Sequence, residues 1–314
     1  MTTLNDLRIT LETDYLEPVS ERTAKTPLLA PMDDSELTFT ITDGVLSPDE
    51  EAVIGPGAVV EIDYELMQVA SFDASIFVVT VLSRAFEGGG PAAAHATGAS
   101  MRLPTRWPRQ SQANALNEAI DNLWKPLYVV EEERITIDTL GYLPLPLDTV
   151  EVLRVQYEYD TRWGRDHVIG SSVASSEWLD AEYELFQTHP EDPNFAAVQV
   201  VPVISPGALC VIRYGREPGR PDTPADTLDP WEDAWNRIVV LDGAISLLSG
   251  VDIDAVTQEY LSQQLRLDRF PVRSGATITQ AMIAYREYLV SRRKEKQIAK
   301  HRPGVHMMPV TYTG

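Results

Sequence analysis

A chain of 314 residues, 44% hydrophobic and 23% charged, has an ordinary globular composition. That excludes disorder or a fibrous repeat as an account of the whole, and the length suggests two or three compact units. Lys and Arg number 26 against 47 Asp and Glu, a formal net charge of −21. So acidic a surface repels a phosphate backbone over most of its area, which argues against a groove-reading DNA binder. The single cysteine, Cys210, leaves no intramolecular disulfide and no Cys-based zinc cluster. Its setting, ALCVIRY, reads as a buried strand thiol in a chain matured in a reducing cytoplasm. No apolar run approaches the roughly 20 residues that span a bilayer. The N-terminus MTTLNDLRIT lacks a basic region followed by an apolar stretch, so neither membrane insertion nor a signal peptide is expected.

Residues 1–35 show no clear period, contain Pro18, Pro27 and Pro31, and read as an irregular arm with at most one short helix. From residue 36 to 104 the period becomes two, in ELTFTIT, AVVEIDYELMQVAS and IFVVTVLSRAF, which predicts four or five antiparallel strands in a small barrel or sandwich. The linker PTRWPR leads into SQANALNEAIDNLWKP, where Ala113, Leu116, Ala119, Ile120 and Leu123 share one helical face. Ser111 is the expected N-cap and Pro126 the stop, giving one helix within 105–127. Strands return over 128–215 in RITIDTL, TVEVLRVQYEY, AEYELFQ, AAVQVVPV and ALCVIRYG. A Pro- and Asp-rich loop, 216–229, precedes a strong helix start at Asp229-Pro230-Trp231-Glu232. Helices are then expected across 230–300, followed by an extended tail, 301–314. The fold class that results is α+β: a small N-terminal antiparallel β domain, then a C-terminal helical bundle into which a second β unit is inserted. The helix near 111–124 needs cover for its apolar face, and the C-terminal helices are its natural partners.

Charge is split along the chain. SRRKEKQIAKHR, residues 291–302, carries six basic residues and one acid, net +5, and no charged residue follows, so residues 1–290 carry −26 of the total −21. Cations at a helix C-terminus complement the macrodipole, and a run of this kind also suits docking to an acidic partner or a phosphate backbone.

Catalytic patterns are missing. The five histidines, His95, His167, His189, His301 and His306, show neither HExxH nor H-x-E spacing. His167 and His189 lie in turn-like stretches and read as polar surface residues. Glu131, Glu132 and Glu133 read as a solvated acidic turn. EGGGPAAAHATG follows a strand, as a phosphate loop would, but lacks the lysine and spacing of one. The serines of SSVASSE lack a nucleophile elbow. Tyr157, Tyr159, Trp163 and Trp178 could stack on a sugar or base, though cross-strand packing is their more ordinary use. No enzyme activity, cofactor or metal is expected.

The stretch VVEIDYELMQV…IFVVTVLSRAFEGGGPAAAHATGASM, from Val59 to Met101, resembles a motif common in structural proteins of tailed bacteriophages. That motif runs V-x-I-(D/G)-x-E-x-M-x-V, a turn, x-x-V-x-V-x-R-(G/A), a glycine-containing loop and A-A-H-x-x-G-x-x-V. Glu65 and Met67 fill its first part, Val79, Val81, Arg84 and Ala85 its second, and Gly88, Ala93, Ala94, His95 and Gly98 its third. It implies a twisted hairpin and a wide loop that His and Arg knit by hydrogen bonds, with Ala85 standing where glycine is frequent. Joined to a helical C-terminus and a basic tail, it resembles the head-to-tail adaptor (connector or neck) proteins of long-tailed phages. The resemblance implies a non-enzymatic virion protein at the neck, assembled in the host cytoplasm, forming a homo-oligomeric, typically twelve-fold ring. Its partners would be the portal protein and tail or neck stopper proteins, with DNA passing through an acidic channel without sequence recognition. The docking element would be Arg292, Arg293, Lys294, Lys296, Lys300 and Arg302 with Met307 and Tyr312. Two alternatives are a tail-tube, baseplate or minor tail protein and, from another class, a carbohydrate-binding or carbohydrate-hydrolysing protein.

Overall fold

The computed structural model describes residues 2–16, 25–42, 54–103, 106–123, 126–160, 176–186, 189–190, 192–201, 207–221, 223, 225–228, 233–249, 260–261, 263 and 275–301. The fold is mixed α+β, with three antiparallel sheets. Two compact units divide the chain: Met1–Asn122 with Arg220–Leu289, and Leu123–Gly219 with Val290–Gly314. The expected domain plan differs from this: residues 290–314 group with the second unit and not with the rest of 230–300. The N-terminal strands do not stand apart from the helices but share the first unit with them.

The reason begins at the N-terminus. Of the expected irregular arm, residues 2–16 and 25–35 are described, and they hold the one short helix foreseen and more. Helix α1, Leu4–Leu11, starts with a reciprocal capping box: Thr3 Oγ1 accepts the Asp6 N–H and the Asp6 carboxylate accepts the Thr3 N–H. It buries Leu4, Leu7 and Leu11, and a π-helical turn, Glu12–Leu16, continues it and buries Tyr15 and Leu16. The next segment supplies a strand, β1 (Lys25–Pro27), where none was expected. It joins β2 (Thr38–Thr40), β3 (Val59–Ile62), β4 (Glu65–Asp73), β5 (Val78–Ser83) and β6 (Ser100–Arg102) in one sheet of order β1-β6-β3-β4-β5-β2. The sheet curls until its edges meet: Leu28 bridges Ile41, and the Thr42 N–H donates to Pro27 O at 3.0 Å. Curling of this kind covers exposed edges. Alternate residues, among them Val60, Ile62, Met67, Val69, Val79, Val81 and Met101, fill the interior, with Leu28 and Met32 from the segment read as an arm.

Helix α2, Arg109–Asp121, begins two residues before the expected cap, with Pro108 in the N-cap position and no side-chain cap of its own. The missing acceptor comes from β3, where Glu61 Oε1 accepts the Arg109 N–H at 2.6 Å. A strand carboxylate 48 residues away thus does the work assigned to Ser111. Helix α2 packs on helix α3, Asp233–Leu248, and α1 packs on both. The apolar face of α2 therefore meets a C-terminal helix, as its pattern required. Leu116 and Leu11 converge on Gly243 of α3, where an added Cβ would lie 3.2 Å and 3.6 Å from their methyl carbons. Trp107 of the linker donates its indole N–H to Leu247 O at 3.0 Å. The helix start at 229–232 lies outside the described residues, as does most of 252–270. Helix α4 runs from Gly275 to His301, and within the first unit its Arg286 pairs with Asp242 of α3 at 2.9 Å.

The second unit is a pair of sheets. One has order β10-β9-β13-β7, from Ser176–Asp180, Thr149–Asp160, Leu209–Arg216 and Val129–Thr136. The other has order β11-β12-β8, from Glu182–Phe186, Phe195–Val201 and Tyr142–Pro146. They share a core that includes Leu143, Leu145, Val152, Val155, Val198, Val200, Cys210 and Ile212. Cys210 is fully buried, and burial pushes its thiol up to about 11. A bulge opposite Arg213 and Tyr214 shifts the register, which lets Val152 and Val155, three apart, both reach the core. Glu131, Glu132 and Glu133 lie within strand β7 rather than in a turn, because β13 offers them partners: Arg216 pairs with Glu131, Arg213 with Glu132, and the Tyr214 hydroxyl donates toward Glu131 and Glu133. Tyr157 packs against the core, whereas Trp163 and the Trp178 side chain lie outside the described residues.

Candidate functional site

Three polar constellations stand out, and the first is built from the phage-like motif. Glu65 opens β4 on the side that faces the barrel interior and is 1% exposed. Its carboxylate accepts five hydrogen bonds. Arg84 donates through Nε at 2.8 Å and Nη2 at 2.6 Å, the N–H groups of Ala85 and Ala93 donate at 3.2 and 3.1 Å, and His95 Nε2 lies at 3.0 Å. His95 Nδ1 is 2.9 Å from Asp63, and Arg84 also donates to the carbonyls of Asp33, Glu36 and Ala93. Burial alone would raise the Glu65 carboxyl, but the hydrogen bonds from Arg84 and His95 outweigh it and hold the group below its ordinary range. For His95, burial disfavours the cation, yet Asp63 and Glu65 prevail and raise it above its ordinary value. The motif's His and Arg therefore tie the turn at 63–64 to the loop at 84–95.

The glycines of the same loop have a packing explanation. A Cβ on Gly89 would sit 2.6 Å from the Leu66 nitrogen. Gly90 donates its N–H to Tyr64 O at 2.6 Å and Gly89 to Phe86 O at 3.0 Å, so these amides serve the protein rather than a phosphate. Gly88 and Gly98 both take φ +83°, open to glycine alone at no cost. Ala85 takes φ +49° where the motif favours glycine. Ala85→Gly should therefore raise stability by ~0.5–1 kcal/mol, the relief of left-handed strain less the added chain entropy. The midpoint of urea unfolding is the measurement, and a lower midpoint would show that no strain resides there.

The second constellation joins the barrel to the helices of the first unit. Arg102 of β6, 1% exposed, donates through Nε to Glu61 Oε2 at 2.5 Å and pairs through Nη1 with Glu12. Arg8 of α1 pairs with Glu12 at 2.6 Å. Desolvation raises the Glu12 carboxyl, but Arg102 and Arg8 more than offset it, and the net direction is downward. Sequence reasoning missed this cluster; the only signals were Glu61 and Arg102 interrupting apolar strands.

The third is the basic end of α4. Arg292, Lys294 and Lys296 are exposed on the helix, and Arg293 is half-buried. Arg292, Lys296 and Lys300 recur at i, i+4 and i+8, and so share one stripe of the helix by backbone position. Arg302, Met307 and Tyr312 lie outside the described residues, together with the expected extended tail from residue 302 onward. Gln297, between these cations, donates to Tyr128 O at 2.5 Å within the second unit.

His189 is not a surface residue. It is 9% exposed, with Nε2 2.7 Å from Asp138 and Nδ1 accepting the Asp192 N–H at 3.3 Å, and its ring packs edge-on against Tyr142. The pairing fixes a loop to the turn after β7. Among the described residues no group of three or more His, Cys, Asp and Glu side chains is placed to hold a metal ion, and no helix is long and apolar enough to cross a membrane. No protein-family model and no curated protein sequence matches the chain.

Proposed function

We propose that the protein is a structural component of a tailed-phage neck, a head-to-tail adaptor that forms a closed ring beneath the portal and lets DNA pass without reading it. The observation that carries this reading is the Glu65–Arg84–His95 knot. Glu65, Arg84, Ala85, Ala93 and His95, five of the residues by which Val59–Met101 resembles the phage motif, meet at one carboxylate, which gives the motif a structural purpose in this chain and supports the reading. The charge split supports it too. A body of −26 keeps DNA from adhering, and a terminal run of +5 suits an anchor on an acidic partner surface such as the portal. In this reading α2, α3 and α4 form the bundle, the β unit of 123–219 is a peripheral insertion, and tail or neck stopper proteins bind the opposite end of the ring.

The docking element is then Arg292, Arg293, Lys294, Lys296, Lys300 and Arg302, continued by Met307 and Tyr312 in the segment after Pro303, which can add to a sheet edge or lie in a groove. The test is binding of the purified chain to purified portal. Deleting residues 303–314 and neutralising the six cations should abolish binding and its salt dependence. Unchanged affinity and unchanged salt dependence would reject the docking role.

A further inference from the structure

The first two constellations meet at the turn between β3 and β4, Asp63–Tyr64. Tyr64 reaches α1: its hydroxyl accepts from Arg8 Nε at 3.2 Å and donates to Asn5 Oδ1 at 3.1 Å, and the Arg8 guanidinium lies over its ring. The Asp63 carbonyl accepts from Nη1 of Arg109, the first residue of α2, at 3.2 Å. The motif loop holds the same turn from its other side. There the Tyr64 carbonyl accepts the Gly90 N–H at 2.6 Å, and the Asp63 carboxylate faces His95 Nδ1 at 2.9 Å. Two adjacent residues thus carry contacts to α1, to α2 and to the knot.

His95 is the member of this assembly whose charge can change near neutral pH. Both of its ring nitrogens face carboxylates, Asp63 at 2.9 Å and Glu65 at 3.0 Å. An ionised carboxylate only accepts, so both nitrogens must donate, and only the imidazolium can do that. The two carboxylates are held very differently. Glu65 is 1% exposed and has four other donors, Nε and Nη2 of Arg84 and the amides of Ala85 and Ala93. The Asp63 side chain is 51% exposed, and its carboxylate has no other hydrogen bond among the described residues. Other charges surround the ring. Arg84 sits on Glu65 and Arg109 on the Asp63 carbonyl, and the segment that Met32 bridges to His95 adds Asp33, Asp34 and Glu36. These residue types titrate well outside the range from about pH 6 to 9. Burial raises the Tyr64 phenol, further from that range.

We propose that the turn is a protonation latch: the His95 imidazolium holds Asp63, and through it the seat of α1 and of the first turn of α2, whereas the neutral ring keeps its N–H on Glu65, frees Asp63 to water and loosens that seat. His95 is raised above its ordinary 6.5, so the latch is closed below that value and opens as pH rises through the folded one. It lies wholly within the first unit and operates whether or not copies of the chain form a ring.

Amide hydrogen exchange of the full chain at about pH 6 and pH 9, corrected for the intrinsic rate, tests the latch in α1, in the first turn of α2 and in strand β5. Protection of α1 and of the start of α2 should fall about tenfold over this range, the expected effect of losing one hydrogen bond between charged groups. Asp63→Asn keeps the shape and tolerates the φ of +52° at this position. It should abolish most of the step and leave α1 poorly protected at both pH values, as should His95→Gln. Tyr64→Phe disconnects α1 alone, so the step should vanish from α1 and persist at the start of α2 and in β5. Protection of α1 that does not depend on pH overturns the proposal, as does a full step in α1 that survives Asp63→Asn or Tyr64→Phe, since His95 would then act only on global stability.

Discussion

Glu65→Ala should destabilise the first unit by about 3–5 kcal/mol, the cost of stranding a buried cation after its partner is removed. The Arg84 side chain is 6% exposed and would lose both bonds to the carboxylate, while His95 and the N–H groups of Ala85 and Ala93 would lose their acceptor. Measured against a total stability of about 5–15 kcal/mol, that removes between roughly a fifth and all of it. Urea unfolding of the variant, followed by tryptophan fluorescence and by circular dichroism, gives the number. The same knot sets a pH window. The carboxyls of Glu65 and Asp63 are lowered in the folded state, so their contribution is complete above their ordinary values of 4.5 and 3.8 and is lost as pH falls through the folded ones. His95 is raised, so its contribution is complete below 6.5 and is lost as pH rises through its folded value. The stability difference between wild type and His95→Gln should therefore be largest between about pH 4.5 and 6.5 and shrink at higher pH. A difference that grows from pH 6.5 to 9 would contradict the charged-histidine account.

Glu61→Ala should cost a comparable 3–5 kcal/mol by a different route. Glu61 is fully buried and serves two masters, the Arg102 guanidinium and the first N–H of helix α2. Its loss leaves Arg102, already with one nitrogen unpartnered, dependent on Glu12 alone. It also uncaps α2 where Pro108 cannot substitute. Glu61→Gln, which keeps an acceptor oxygen, should cost less, and hydrogen exchange should show the first turn of α2 opening in the alanine variant but not in the glutamine one. Equal losses for the two substitutions would show that charge, and not helix capping, is what the residue supplies.

Local pattern made much of the fold legible, and remote pairing hid the remainder. Period-two alternation marked Val60, Met67, Val79 and Val81 as barrel core, and all are buried. The cap of α2 could not be read locally, because Ser111 looked suitable in sequence while the acceptor that caps the helix sits on β3. Strand β8 was hidden by Pro144 and Pro146, which normally signal a turn; β8 is an edge strand, where a missing N–H is tolerated, and Leu143 and Leu145 still alternate into the core. His189 looked like a turn residue because its partner, Asp138, lies 51 residues earlier. In the candidate sites, the motif showed His95, Arg84 and Glu65 as a set, whereas the Glu61–Arg102 cluster, formed from charges in α1, its π-helical extension, β3 and β6, left only two polar interruptions of the strands to notice. The basic run was plain from composition alone, since six cations in twelve residues need no fold to be seen.

The adaptor reading is tested most directly by electron cryo-microscopy of virions that contain this protein, with the chain traced into the density. The reading predicts a closed ring of copies between portal and tail, the basic end of α4 directed to the portal and the acidic surface lining the channel. Density that places the chain at the tail tip, in the tail tube or on the capsid surface would contradict it.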